Sequence, residues 1–116
     1  MDPRLYVPSQ PTLQSLDNDR TEFSWQGRPF LFDRNSKTIS RAGRAVAPYD
    51  AVRSIRISEH RDEGQTKSWS VFMEIGSLRN VAVGSTEDQT DASIAAAHLA
   101  TVTGKKCRCF EVAGRT

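Results

Sequence analysis

From Thr21 onward, polar and apolar residues alternate over short stretches, each closed by turn residues after about 8–12 positions. Alternation with a period of two puts one face of a strand on a core and the other in water, and regular turns of this kind belong to an antiparallel sheet or barrel. The pattern predicts strands over "TEFSW" (21–25), "FLFD" (30–33), "TISR" (38–41), "RAVA" (44–47), "VRSIRISEH" (52–60), "WSVFMEI" (69–75) and "NVAVG" (80–84). In the fifth, Ile55 and Ile57 face one way while Ser54, Arg56 and Ser58 face the other. In the sixth, Trp69, Val71, Met73 and Ile75 oppose Ser70, Phe72 and Glu74.

The connections are equally legible. Asp33, Asn35 and Ser36 bond locally to turn amides, which reads as hairpin chemistry, and Ala42-Gly43 is a second turn. Pro48-Tyr49-Asp50 breaks the ladder, because proline lacks the donor a central strand needs. "RDEGQTK" (61–67) reads as a charged loop.

At Ser85 the period changes. "STEDQTDASIAAAHLATVTG" predicts a helix of about four turns, opened by a capping box from Thr86 to Gln89 or starting slightly later at Thr90. Gly104 fits the residue after its end, and Ala92, Ala95, Ala96, Leu99 and Val102 form a stripe small enough to lie close on a sheet. "KCRCFEV" (106–112) either adds a last strand or crosses the helix base, and residues 113–116 are a tail. Residues 1–20 show neither period and read as a flexible, extended arm with room for a short helical turn around Thr12 to Leu16.

Composition narrows this only slightly. The 116 residues, 37% hydrophobic and 26% charged, belong to one ordinary globular domain, here residues 21–112. No apolar run approaches the ~20 residues of a membrane-spanning helix, and Met-Asp-Pro-Arg opens no secretory signal, which favours the cytoplasm. Cys107-Arg108-Cys109 offers too small a ring for an easy disulfide. The net charge of +2 is small, but it is distributed unevenly. Residues 34–61 hold seven bases against two acids, and residues 62–91 hold two bases against six acids.

No motif for catalysis, a cofactor or a metal stands out. His60 and His98 lack the spacing of a ligand pair, no nucleophile has a partnered base, and "VAVGSTEDQ" lacks both the glycines and the lysine of a phosphate turn. The basic stretch contains only Tyr49 as an aromatic, which disfavours nucleic acid. Arg34 and Lys37 on one turn, with Arg41 and Arg44 around the next, are the candidate residues for an anionic ligand, against the alternative that they merely keep the turns solvated. Arg56 is expected to face outward and pair with Glu74. Tyr49 at the break and Phe72 on the polar face of its strand are candidate contacts for a protein partner, with cover by the helix the alternative for Phe72.

Phe30 to Asp33, Ile39 to Gly43, Pro48 to Val52, Trp69 to Ile75 and the alanine-rich helix resemble, in order and phrasing, small bacterial pleckstrin-homology (PH)-like domains. The resemblance spans residues 21 to about 110. It implies a mainly β fold with one C-terminal α-helix (α+β), a barrel of about seven antiparallel strands capped by that helix. It also implies a non-enzymatic binding or scaffolding module that engages a protein partner or an anionic membrane surface. The lipid-binding members carry several bases across their first hairpin, whereas "SWQGRPFLF" has Arg28 alone. Lipid headgroups or phosphorylated small molecules would then be met by Arg34, Lys37, Arg41 and Arg44.

Overall fold

All seven alternating stretches form strands. The computed structural model describes residues 10–61, 67–77 and 79–113, so most of the loop expected over 61–67 lies outside the described residues. In chain order the elements are β1 (Thr12–Ser15), β2 (Arg20–Trp25), β3 (Arg28–Asp33), β4 (Thr38–Arg41), β5 (Arg44–Pro48), β6 (Val52–Arg61), β7 (Lys67–Ile75), β8 (Arg79–Thr86), α1 (Gln89–Thr103) and β9 (Cys107–Ala113).

The fold is mainly β with one helix, as the pattern predicts, but the strands lie in two sheets, ordered β1-β2-β3-β4-β5 and β8-β7-β6-β9. The expected barrel of about seven strands is replaced among the described residues by sheets of five and four that share no ladder. The two added strands are the ones the pattern left least determined. Thr12–Ser15, expected within an arm, pairs antiparallel with β2, and β9 joins the edge of β6 in parallel.

The turns follow from local chemistry. Gln26-Gly27 (φ 55° and 74°) and Ala42-Gly43 (φ 52° and 77°) are two-residue turns with both φ positive, matched to the twist of a hairpin. Between β3 and β4, Asp33 Oδ1 accepts from the amides of Asn35 (2.9 Å) and Ser36 (3.3 Å), as its position predicts. The left-handed residue there is Lys37 (φ 56°). Tyr49–Ala51 forms one turn of 3-10 helix that carries the chain from the first sheet to the second.

Phe23, Trp25, Phe30, Phe32 and Ile39 of the first sheet meet Val52, Ile55, Val71, Met73 and Val83 of the second in one buried cluster. Ala92, Ala95, Ala96 and Leu99 of α1 complete it, each at most 1% exposed. The helix begins at Gln89 because Asp88 is its cap: the Asp88 carboxylate accepts from Thr90 N at 2.9 Å. Thr86 stands one step further out, its hydroxyl accepting from Asp88 N at 3.0 Å, so the capping box expected from Thr86 does not form. Gly104 (φ 74°) ends the helix, its amide donating to Ala100 O at 2.9 Å.

A seam joins the sheets where β2 turns into β3. A Cβ on Gly84 of β8 would lie 2.7 Å from Cζ3 of Trp25, so only glycine lets the buried indole rest on that strand. Next to it, the Gln26 side chain grips the backbone of Ser85. Its Nε2 donates to Ser85 O, and its Oε1 accepts from Ser85 N at 3.3 Å.

Candidate functional site

The hairpins divide the basic residues between the two ends of the first sheet. Strands that alternate in direction put Trp25, Arg28, Arg41 and Arg44 at one end, where Trp25 is opposite Arg28 and Arg41 is opposite Arg44. The turns after β1, β3 and β5 meet at the other end, through the pairs Arg20–Asp33 and Thr38–Pro48. Arg34 and Lys37 belong to this second end. The four candidate bases therefore form no single cluster, since β4, with about 3.3 Å per residue, separates the two pairs.

At the first end, Arg28, Arg41 and Arg44 are all exposed, and neither the stretch from Trp25 to Arg28 nor that from Arg41 to Arg44 contains an acid. Arg41 and Arg44 share one face as direct cross-strand partners, an arrangement that costs stability when the charges are alike. Arg41 recovers part of that cost by laying its guanidinium 5.5 Å from the centroid of Phe30, whose buried ring closes the core at this end. The sequence reading missed Arg28 as a member of this group. The signal was available in the two short hairpins, which return the chain to the same end of the sheet.

At the second end, Asp17, Asp19, Asp33 and Asp50 accompany Arg20, Arg34 and Lys37. A shallow pocket of about 320 Å³ is lined by Asp17, Asp19, Arg20, Asp33 and Asn35. Its aspartates are largely engaged by the fold. Asp17 accepts from the amides of Asp19 (2.9 Å) and Arg20 (2.8 Å) and from Arg20 Nε at 2.8 Å. Those bonds, the Asp19 amide first, hold its carboxyl below the usual carboxylate range. Arg34 donates its own amide to Asp19 O at 2.7 Å. Acids outnumber bases here by one, and the Asp17 and Asp33 side chains are turn builders.

Tyr49 and Phe72 lie far apart in the fold. Tyr49, in the connection between the sheets, is half-buried, its ring edge-on to Phe32 at 6.0 Å. Burial raises its phenol above the usual range. Phe72 alternates with the buried Val71 and Met73 and so lies on the face of the second sheet away from the core and α1. The helix does not cover it. Arg56, directly opposite on β6, sets its guanidinium 5.3 Å from the ring centroid instead.

The same outer face holds a polar cluster around Glu74. As expected, Arg56 pairs with it, at 3.7 Å, and Arg108 of β9 joins at 3.1 Å. The Ser54 hydroxyl also donates to Glu74. The Ser54 bond, ahead of the Arg108 bond and the nearby guanidinium charges, holds the carboxyl low against the opposing effect of its burial. Arg108 could not be assigned here from sequence, because its partner strand lies some fifty residues earlier in the chain.

Among the described residues, no three His, Cys, Asp or Glu side chains converge as metal ligands, and no helix is long and apolar enough to cross a membrane. No protein-family model, curated protein or solved structure matches the chain.

Proposed function

We propose that this chain is a non-enzymatic binding module of PH-like arrangement whose arginine end docks an acidic segment of a protein partner, including a partner held at an anionic membrane surface. The arrangement is supported by the order of its parts: a four-stranded meander (β2–β5), a three-stranded meander (β6–β8) and then α1, with β1 and β9 added at the edges. The docking surface rests on one observation, the gathering of Arg28, Arg41 and Arg44 at two hairpin turns that hold no acid of their own. Guanidinium groups bind carboxylates through paired, charge-assisted bonds, which rewards such a gathering when a partner supplies the missing negative charge. The Arg41–Arg44 pair also favours a second reading, direct capture of a phosphorylated headgroup or small molecule, since two adjacent guanidiniums suit a phosphate equally well.

Amide spectra of labelled protein test both readings, recorded with a glutamate-rich peptide, with inositol phosphates and with anionic vesicles, at low and high salt. The first reading expects peptide-induced shifts at residue 28 and residues 41–44, little change at 34–37, and loss of the shifts as salt screens the charges. Shifts induced by inositol phosphates or vesicles but not by the peptide would establish the second. A spectrum indifferent to every anion at low salt sinks both.

A further inference from the structure

The open edges of the two sheets are unequally guarded. An edge strand exposes unpaired amides and carbonyls that template another strand, and proteins blunt such edges with charge, proline or bulges. β5 carries Arg44, ends at Pro48 and has a register break against β4. β8 carries Arg79, has a register break against β7, and is gripped at Ser85 by Gln26. β1 has no such device: Thr12–Ser15 contains no charge and no proline, and its register runs unbroken. Leu16, which follows it, is 46% exposed, the only large hydrophobic residue so exposed among the described residues.

The ladder determines which groups of β1 are open. Leu16 N donates to Arg20 O at 2.8 Å, and this pair continues the register in which Gln14 meets Glu22 and Thr12 meets Ser24. Bonded and non-bonded pairs alternate in an antiparallel ladder. Thr12, Gln14 and Leu16 therefore turn their backbone groups toward β2, while Leu13 and Ser15 turn theirs toward the edge that is open among the described residues.

We propose that this edge pairs with the β1 edge of a second copy of the chain, antiparallel about a two-fold axis through Gln14. In that register, Leu13 of each copy exchanges backbone bonds with Ser15 of the other, so every outward group of the strand meets its complement. A shift that set Leu13 against Leu13 would bring Ser15 opposite Pro11, which has no amide to give. The side chains agree with the backbone. Thr12, Gln14 and Leu16 share the face opposite to Leu13, which packs on the core, and the axis sets Leu16 against Thr12 of the second copy, whose methyl covers the exposed leucine. No charge lies between Thr12 and Leu16 to oppose its own copy. This edge runs along the side of the sheet and only its start, at Thr12, nears the arginine end, so the pairing holds whether or not that end binds anions.

A four-residue edge covers far less than the ~800 Å² per partner of a standard interface, so the association is weak, with Kd of about 0.1–1 mM. Sedimentation equilibrium of the full chain from about 10 µM to 2 mM brackets that range. Gln14 is exposed and lies opposite Glu22 of β2, so Gln14→Lys places on the axis a charge that meets an unlike neighbour in its own protomer, and Gln14→Glu one that meets a like neighbour. Gln14→Lys and Gln14→Glu are each expected to weaken the dimer about fivefold, as like charges meet across the strands. An equimolar mixture of the two variants is expected to recover association, because opposite charges then meet. A wild-type chain that stays monomeric throughout overturns the proposal. So does a dimer that Gln14→Lys leaves unchanged, or a pair of charged variants that stay apart when mixed.

Discussion

The two ends of the first sheet carry similar numbers of bases, yet they use their charges differently. At the aspartate end, Asp17 and Asp33 accept turn amides and Asp17 holds Arg20, so the ionised groups shape the backbone. At the arginine end the turns are made by backbone conformation at Gln26-Gly27 and Ala42-Gly43. No side-chain charge is needed to form them, and the arginines remain available. A charged turn residue is thus informative about binding only once its role in making the turn has been accounted for.

The largest test of this contrast removes the support of one end. Gly84→Val drives a branched side chain into Trp25 and is expected to cost about 3 kcal/mol, the upper range for overpacking a core. Thermal unfolding would measure this, and a loss under about 0.5 kcal/mol, the size of an ordinary surface change, would show that the seam yields easily. A smaller effect, of opposite sign, should follow from Arg44→Glu. An unlike pair replaces a like pair opposite Arg41, which should raise stability by roughly 0.2–1 kcal/mol while abolishing anion binding. Greater stability together with retained binding would remove this end from the proposed function.

The smallest effect concerns acid. The Asp17 carboxyl is depressed from its ordinary value of 3.8, so its contribution is fully present above that value and is lost as pH falls through the lower, folded one. Amide spectra recorded on acidification should change at residues 17–20 while residues 26–28 and 41–44 stay in place. Substituting Asn at Asp17 should remove that selective change. Simultaneous change at both ends would mean that the aspartate end has no acid sensitivity of its own.

The sequence pattern was most informative where a strand has one buried face and a neighbour close in the chain. Val71, Met73 and Ile75 alternate cleanly with Phe72 and Glu74, and the β6–β7 ladder is read from them directly. β1 escaped because its four residues are mostly exposed and bury only Leu13 in part. β9 stays one of two alternatives in the sequence, a last strand or a crossing of the helix base, because its partner is remote in sequence and parallel. The sequence places Arg34 and Lys37 on one turn and Arg41 and Arg44 beside the next, but grouping them requires knowing that adjacent hairpins return to the same end. Arg28 belonged with Arg41 and Arg44 for that reason, and Arg34 and Lys37 did not. At the helix start, Thr86 and Asp88 are both good capping residues, and only the geometry of the preceding strand decides that Asp88 takes the cap.

The Gln26 clasp also gives the arginine end a mechanical neighbour. A force applied to the tip of the β2–β3 hairpin passes through one side-chain amide to Ser85. The next residue, Thr86, accepts the amide of the helix cap Asp88. Tension on the hairpin is therefore delivered within a few residues to the first turn of α1, which makes that amide a short tether between the hairpin tip and the helix packed across the core.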